Sequence, residues 1–408
     1  MKLWTRNFSI ITIGSFVSAI GNSAAGIAFG ILVFQRTGSP FALALFAIAN
    51  LIPSILTNLF VGPFIDRNSR IKIIYTLDFI SAAIFIGLGV ILLNGFFDAL
   101  FFTLLSGVFG IINTTYQVAF MSVFPEIIPE GNFSKAYSLS SLIWPLSSAI
   151  MTPLSAFFIL NFENGTAIIM LFNAITFIIA AIFETTIDIK EKLNTKPAHG
   201  NQFIFDMKEA VDYYRKEPGV LAIGLLFTAF AYIYSTHDVL YLPFFESAAN
   251  FTIQDYSFMI SANALGRITG GLVHYLFKYP VNRRYQIALT VYFLVEIIGA
   301  TQLYYPYPLM VGSAFFTGLI AVTSFNIRMS ATQSYIPNDK RARINSAQNL
   351  MHGFGSIAGL LITGYLATYV VSDYRMLLLV SATVSIGAII LFPVRLKKEF
   401  IKIYNREV

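Results

Sequence analysis

The sequence predicts an all-α integral membrane protein with twelve transmembrane helices arranged as two six-helix bundles. Three observations lead to this fold class: the composition, the length of the uncharged runs, and a polar segment that divides the chain in half. Of the 408 residues, 56% are hydrophobic and only 12% are charged, and the mean hydropathy is +0.69. An ordinary soluble domain is about one quarter charged, so the composition excludes that class.

The uncharged runs indicate helices rather than barrel strands. Residues 7–35, 37–65, 99–125 and 344–372 carry no charge, which gives runs of 27 to 29 residues. A helix crosses the hydrocarbon core with about 20 mostly apolar residues, whereas a barrel strand needs about ten of alternating polarity. Dividing the chain at turn residues predicts twelve spans, at approximately 8–34, 41–62, 71–93, 98–123, 135–160, 166–187, 218–245, 254–277, 286–304, 308–333, 344–370 and 376–394. The first span is too long for a signal-peptide core, so we read it as a retained helix.

The distribution of Lys and Arg predicts the orientation, because basic residues concentrate in cytoplasmic loops. With the N-terminus inside, 23 of the 27 basic residues fall in cytoplasmic segments and two, Arg36 and Arg375, fall in outer segments, while Arg267 and Arg328 lie within spans. We therefore expect a multi-pass protein of the cell membrane with both termini in the cytoplasm. The net charge of +6 suits anionic headgroups, so we expect membrane lipids rather than nucleic acid as partners.

Residues 188–217 form the longest polar segment and divide the spans six and six. The sequence thus predicts three parts: an N-terminal bundle at 1–187, a cytoplasmic linker at 188–217, and a C-terminal bundle with a basic tail at 218–408. Four apolar residues of the linker recur at the spacing of an amphipathic helix: Phe203, Met207, Val211 and Tyr214. Such a helix either lies along the membrane surface or packs on the cytoplasmic ends of the bundle.

The two halves repeat at an offset of 208 residues. Segment 128–138, IPEGNFSKAYS, aligns with 336–346, IPNDKRARINS, and at the same offset Gly62 falls on Gly270. One offset at corresponding loops of both halves indicates duplication. Transporters built from two parallel six-helix repeats bind substrate between the halves, near the midplane, and alternate access by rocking them.

Six plus six spans, cytoplasmic termini and the motif Gly62-x-x-x-Asp66-Arg67-x-x-Arg70 after span 2 resemble the major facilitator superfamily over nearly the whole chain. The stretches FIFDMKEAVDYYRKEPGVLAI before span 7 and IPEGNFSKAYSLSSLI before span 5 resemble the branch that contains macrolide, other drug and siderophore exporters. The resemblance implies secondary transport by alternating access, with spans 1, 4, 7 and 10 lining a central cavity.

The resemblance also implies a conformational latch at Gly62, Asp66, Arg67 and Arg70. Gly62 allows close approach of helices, and the two arginines can pair with lipid phosphates or neighbouring acids. Asp66 needs a positive partner, and the family pattern suggests the unpaired N–H groups at the start of span 11. The alternative is a loop whose charges only set the orientation, and both can hold.

Three departures from the family pattern affect the mechanism. Small residues on one face of span 5 and a kinking proline replace the Gly-Pro signature of exporters and keep close helix packing: Ser148, Thr152, Pro153 and Ala156. The arginine often found in span 4 is absent, and span 1 has Asn22 where some drug exporters have a carboxylate. The last two departures weaken the argument that this chain is a proton antiporter.

Ionisable residues inside the spans are functional candidates by default, although buried pairs that stabilise packing are the usual competitor. Four of them are Asp78, Asp238, Arg267 and Glu296. We expect Arg267 and Glu296 to pair, since both lie roughly 15–18 Å from the cytoplasmic ends. Asp78 is expected to be a structural charge, and Glu184 is expected to reach the inner interface. His237 and Asp238, near the outer surface, take up a proton, bind a cation or are only solvated.

Polar and aromatic residues on the four cavity spans are the predicted substrate contacts: Asn22, Asn113, Tyr116, Gln117, Tyr232, Asn326 and Arg328. Asn113, Tyr116 and Gln117 stand at i, i+3 and i+4 and so share one face of span 4. An amide and aromatic face without charge suits a largely apolar, amphipathic ligand that a few hydrogen bonds orient. Arg328 serves either this cavity or the packing of the bundle.

The sequence thus predicts a proton-driven exporter of hydrophobic or amphipathic small molecules that works as a monomer. The alternatives are a lipid or lysolipid flippase or uptake symporter of the same fold and, from another class, a membrane sensor or scaffold without transport. The chain has no cysteine, its four histidines show no metal spacing, and no nucleophile constellation is present. We therefore expect no enzyme activity, no metal and no cofactor.

Overall fold

The computed structural model describes residues 3–189, 191, 202–277 and 279–406, so residues 190 and 192–201 of the predicted linker lie outside the described part. Nearly all described residues are helical. The helices are α1 Arg6–Thr37, α2 Pro40–Phe60, α3 Gly62–Arg67, α4 Arg70–Leu93, α5 Ala99–Ile127, α6 Phe133–Asn161, α7 Gly165–Glu184, α8 Gln202–Lys216, α9 Pro218–Ser247, α10 Ile253–Leu276, α11 Arg284–Thr301, α12 Tyr307–Tyr335, α13 Asn338–Tyr369, α14 Tyr374–Ile389 and α15 Lys397–Tyr404. Short 3-10 turns flank α11, and one π turn, Ile390–Val394, follows α14.

Twelve of these helices correspond in order to the predicted spans. Eleven helices of the described residues are long and apolar enough to cross a membrane. The twelfth, α10, is 24 residues long but more polar, because it carries Asp255, Arg267 and several serine, threonine and asparagine residues. The all-α membrane fold class predicted from the sequence is therefore confirmed.

Local signals in the sequence set several helix ends. Side-chain oxygens accept hydrogen bonds from backbone N–H groups at the starts of α1, α4, α5 and α10, and the capping residues are Thr5, Ser69, Asp98 and Thr252. Gly38 ends α1 with a φ of 62°, a left-handed conformation that glycine adopts without strain.

The chain divides into two compact units. The first comprises residues 1–38 and 46–198, and the second comprises residues 39–45 and 199–408. Residues 39–45, which the sequence placed in the N-terminal bundle, join the second unit because they contact the end of α13. The Phe41 N–H donates to the Thr368 hydroxyl at 2.9 Å.

Both units use the same pairings of helices. In the first unit, α1 packs on α6 and α7, and α4 packs on α5 and α7. In the second unit, α9 packs on α13 and α14, and α11 packs on α12 and α14. The helices that pair stand at equivalent places in each set of six, which agrees with the internal repeat in the sequence.

One asparagine contact also recurs in both units. Asn50 Nδ2 of α2 donates to the carbonyl four residues before Gly110 on α5, at 3.0 Å. Asn263 Nδ2 of α10 donates to the carbonyl four residues before Gly318 on α12, also at 3.0 Å. A Cβ at either glycine would lie 2.2 Å from the backbone oxygen of the same asparagine. Only glycine permits this approach of two helix backbones.

The linker helix α8 packs on the end of the second unit. Ala210, Tyr213 and Tyr214 are buried against α9 and α13, and Met207 packs on the same core. Val211, which the sequence placed on the apolar face, is 48% exposed. The described part of α8 therefore follows the second of the two predicted alternatives, packing on the bundle. The side chain of Phe203 lies outside the described residues.

Candidate functional site

The second unit contains a cavity of about 390 Å³. Aromatic rings form much of its wall, and several ionisable side chains reach it. The lining residues are Phe227, Phe230, Ala231, Tyr234, Arg267, Tyr292, Val295, Glu296, Ala321, Val322, Ser324, Phe325, Arg328 and His352. The volume falls within the range of small-molecule sites, about 300–1,000 Å³.

Arg328 is a buried cation of this cavity, with 8% of its surface exposed. Its guanidinium carbon lies 3.9 Å from the centroid of the Phe227 ring and 5.3 Å from that of Phe325. Within the described part of the chain, Arg328 Nε has no hydrogen-bond partner and no carboxylate forms an ion pair with the guanidinium. Two aromatic rings thus hold a cation with donors available to a ligand.

Arg267 and Glu296 line the same cavity, but among the described residues they do not form the ion pair that the sequence predicted. Arg267 Nε donates to Asn263 Oδ1 at 3.2 Å, one turn earlier on α10. The buried Glu296 carboxylate accepts a short hydrogen bond from the Ser385 hydroxyl of α14. The predicted direct pair is therefore wrong, because each group is held by a neutral side chain on a different side.

The position of each residue on its helix explains which predicted contacts line the cavity. On α9 the lining residues recur every three or four positions up to Tyr234, so they share one helix face, and Tyr232 lies on another face. Tyr232 packs instead beside a small buried cluster that includes Ile233. Asn326 is half-buried and outside the described lining, whereas Arg328 belongs to it.

Asp238 is exposed on α9, and its neighbour His237 stacks its ring on Tyr241 with the centroids 5.0 Å apart. The His237 ring also packs on α11, where a Cβ at Gly299 would lie 3.0 Å from His237 Cε1. The structure brings neither residue into the cavity lining described above.

The C-terminal helix α15 supports one wall of the cavity. Tyr404 is fully buried, and its hydroxyl lies 2.8 Å from the hydroxyl of the cavity residue Tyr292. Near the same helix, the Glu217 carboxylate accepts hydrogen bonds from the Tyr335 hydroxyl at 2.5 Å and from Lys402 Nζ at 3.2 Å. Burial alone raises the pKa of Glu217, but these two donors lower that pKa overall.

In the first unit, the predicted face of α5 divides in two. Asn113 and Gln117 are exposed, whereas Tyr116 is half-buried. The Tyr116 hydroxyl lies 3.5 Å from Glu184 Oε1 of α7, and its ring stacks on Phe120. Asn22 of α1 is half-buried. Tyr116 is therefore directed into the bundle rather than along the exposed face.

Glu184 is fully buried, so the prediction that it reaches the interface is wrong. The reason is Gly14 of α1, which leaves room for the carboxyl: a Cβ at Gly14 would lie 3.2 Å from Glu184 Oε1. Asp78 of α4 is 1% exposed and interacts directly with the Glu184 side chain. Sequence reasoning missed this pair, although each acid stands alone in an otherwise uncharged stretch.

The predicted latch residues form and flank α3, which begins at Gly62 and ends at Arg67. Asp66 Oδ1 lies 3.7 Å from Arg70 Nη2, and Arg70 Nη1 lies 2.7 Å from Glu126 Oε1 of α5. Within the first unit, Arg70 is therefore a positive partner of Asp66. Arg70 also pairs with Glu126, and this contact connects the start of α4 to the end of α5.

The small residues predicted to pack span 5 lie on α6, which packs mainly on α1. Thr152 and Ala156 are buried, and Ser148 is half-buried. Pro153 lies inside the helix. The placement agrees with close packing of this face.

Comparison with known proteins gives the family. The model of the Major Facilitator Superfamily matches residues 11–298. Macrolide efflux protein A of Streptococcus pyogenes is 25% identical over 282 residues, which cover 67% of this chain and 67% of that protein. An uncharacterized MFS-type transporter of Bacillus subtilis, YkuC, is 22% identical over 317 residues, covering 74% of this chain and 72% of that protein.

Solved structures agree on the fold. The nucleoside transporter NupG superposes with a TM-score of 0.70 at 14% identity, covering 96% of this chain and 100% of that one. A bacterial homologue of the iron transporter ferroportin, in its inward-facing state, superposes with a TM-score of 0.70 at 15% identity, covering 98% and 99%. Because the family model spans more than half of a chain whose helices follow this fold, the protein belongs to the Major Facilitator Superfamily and is a membrane transporter, not an enzyme.

Proposed function

We propose that this transporter exports hydrophobic or amphipathic small molecules by alternating access, driven by the proton gradient. The observation that carries the proposal is the cavity of the second unit, in which Arg328 lies between two aromatic rings. The similarity to macrolide efflux protein A supports export and a macrolide-like substrate. A siderophore-like substrate has the same combination of apolar surface and polar acceptors.

The chemistry of the cavity supports an amphipathic substrate. Phe227, Phe230 and Phe325 offer ring faces to an apolar body. Arg328 and Arg267 offer donors to carbonyl, hydroxyl or anionic groups, while the Glu296 carboxylate already accepts a hydrogen bond. A few directed polar groups in an aromatic wall orient a ligand without demanding one shape.

The charge distribution supports the setting in which export would occur. The segments that hold 23 of the 27 basic residues would face the cytoplasm, as would both termini, in the cell membrane. There the basic residues would contact anionic lipid headgroups. We also propose, as expected from the sequence, that the chain acts as a monomer.

Transport by purified protein in liposomes tests the function. The probes are radiolabelled erythromycin, which is a macrolide, ethidium, and a fluorescent lysolipid, each with and without an imposed pH gradient. We expect erythromycin or ethidium to accumulate only with the gradient. Movement of the lysolipid alone would indicate a flippase, and no movement of any probe would favour a sensor or scaffold.

Variants of the cavity test the site. Arg328→Gln removes the charged donor held between the two rings, and we expect it to weaken binding of erythromycin about tenfold or more, the loss of about one hydrogen bond from a charged group to a carbonyl or hydroxyl oxygen. Gln117→Ala tests whether the exposed face of α5 also sets substrate preference. Arg36→Gln, at an exposed position, is the matched control. Unchanged affinity and substrate range in both test variants would refute these contacts.

A further inference from the structure

The first unit holds a buried pair of carboxyl groups, Asp78 of α4 and Glu184 of α7. Both side chains are at least 99% buried and interact directly. In the described part of the chain, Asp78 Oδ2 and Glu184 Oε2 have no hydrogen-bond donor. A donor is therefore missing between two acceptors.

Hydroxyl groups from two other helices surround the pair. The Tyr116 hydroxyl of α5 lies 3.5 Å from Glu184 Oε1. Ser18 of α1 lies next to Asp78, and Ser15 of α1 lies next to Tyr116, but both serine hydroxyls are buried without a hydrogen bond of good geometry. Ser18 itself is 95% buried, since only 5% of its surface is exposed. Four helices thus direct polar atoms to one point.

Among the described residues, no basic side chain forms an ion pair with Asp78 or Glu184 that would balance their negative charge. The titratable groups that face it are the two acids and Tyr116, and α1 contributes only hydroxyls and Gly14. Lys72, the base nearest in sequence on α4, is exposed and about 9 Å away along the helix. Arg70 is about 12 Å away along the helix and is engaged with Asp66 and Glu126. Two adjacent carboxylates in an apolar interior cannot both keep their charge.

We propose that Asp78 and Glu184 share one proton and form the protonation site of the transport cycle. This inference rests on the proposed function, in which protons drive export. A proton between the two carboxyls supplies the missing donor and leaves one negative charge to accept from the neighbouring hydroxyls. During the cycle one O–H bond forms when the pair takes a proton from outside water, and it breaks when the proton passes to cytoplasmic water.

Tyr116 connects this site to the exposed face of α5. It stands between Asn113 and Gln117, which are exposed, while its hydroxyl reaches Glu184. A ligand on that face that moves the Tyr116 hydroxyl removes a donor from Glu184 and so changes the proton affinity of the pair. Tyr116 is thus a positioning residue, and substrate and proton are coupled through it.

Infrared difference spectroscopy tests proton binding without any substrate. Purified protein in liposomes is moved between acidic and alkaline buffer, and the carbonyl stretch of protonated carboxyl groups is recorded. We expect a band that both Asp78→Asn and Glu184→Gln remove or shift. Glu163→Gln, which changes an exposed loop carboxyl, is the control and keeps the band. A band unchanged in both test variants would overturn the site.

Transport measurements test the role of the proton. With erythromycin or ethidium as probe, Glu184→Gln should lower gradient-driven accumulation about tenfold, within the usual range of coupling between two sites, while exchange without a gradient continues. Accumulation equal to that of the wild type, or accumulation driven by a sodium gradient instead, would overturn the inference.

Two further outcomes separate the inference from its premise. If the wild type moves no probe with any gradient, the proposed function fails, and loss of the infrared band in the variants still assigns proton binding to the pair. If either carboxyl variant aggregates, Tyr116→Phe is measured instead, because it removes only a hydroxyl group beside Glu184. A change in the pH dependence of the infrared band in this variant supports the proton site, and an unchanged pH dependence opposes it.

Discussion

The hydroxyl groups of Tyr292 and Tyr404 are 2.8 Å apart, which joins a residue of the cavity wall to the C-terminal helix α15. Phe400 and Ile403 of α15 are fully buried in the same core. The residues that sequence analysis assigned to a basic tail thus support the wall of the cavity.

Tyr404→Phe should keep the ring packing and remove one buried hydrogen bond. We expect a loss of about 0.5–1.5 kcal/mol in the free energy of unfolding, because the Tyr292 hydroxyl is left without its partner. Thermal unfolding in detergent measures this, with Tyr365→Phe, at a 53% exposed residue, as control. If Tyr404→Phe is as stable as the wild type, the contact is not structural.

Glu217 makes the docking of α15 sensitive to pH. Its pKa is lowered overall, so its stabilising contribution is present above the ordinary carboxyl pKa and is lost as the pH falls through the lower, folded pKa. Because the pair with Lys402 is partly exposed, we expect about 1 kcal/mol or less. Protease cleavage within α15 should accelerate on acidification. Glu217→Gln should cleave faster at neutral pH and show little further change, and cleavage independent of pH in the wild type would contradict this.

Asn50 and Asn263 should contribute about equally to the stability of the units in which they lie. We expect Asn50→Ala and Asn263→Ala each to cost about 0.6–2 kcal/mol, the range for interhelical hydrogen bonds in membrane proteins. Gly318→Val should cost more, since even its Cβ would lie 2.2 Å from the Asn263 backbone oxygen. Gly312→Ala, where a Cβ meets nothing within 4 Å, is the control. Thermal unfolding and yield measure these effects, and a tolerated Gly318→Val would argue against the close crossing.

A substitution of Asp66 distinguishes a conformational latch from a loop that only sets the orientation of the chain. We propose that Asp66 approaches the start of predicted span 11, near Arg343 to Ser346, when the inside is closed. Because α13 begins at Asn338, the unpaired N–H donors that attract an anion lie in the turn before these residues. That attraction is worth roughly 0.3–1 kcal/mol when exposed and up to about 2 when partly buried. Asp66→Asn should therefore keep the fold and impair transport by shifting the population towards inward-open.

Spin-label distances across the loops that we propose to face the cytoplasm, together with transport of a probe, measure this shift, and Glu163→Gln serves as the control. Because Asp66 also lies 3.7 Å from Arg70, Arg70→Gln should be measured beside it. Normal transport by Asp66→Asn with an unchanged distance distribution would leave only the topogenic role.

The number and order of the transmembrane helices followed from the sequence alone. The cost of placing charge in hydrocarbon confines charged residues to loops, so uncharged runs record the spans directly. The same physics explains why α10 was predicted, although it is the one of the twelve described helices that is not apolar enough throughout to count as a candidate span. In the sequence, Asp255 and Lys278 bracket a run interrupted only by Arg267. The division of the chain into two parts was also readable, because one long polar segment separates two sets of six apolar runs.

The polar contacts between helices were decided only by the tertiary structure. Spacing on one helix shows which residues share a face, but the rotation of that helix and its neighbours determine what the face meets. Close contacts at glycines determine several of these meetings between helices. Gly14 leaves room for the Glu184 carboxyl beside Asp78. The close crossing at Gly318 brings Asn263 to α12, and the Asn263 side chain also accepts a hydrogen bond from Arg267. The expected Arg267–Glu296 pair gave way to neutral partners for the same reason, since burial favours whichever hydrogen-bonding group the packing brings within reach.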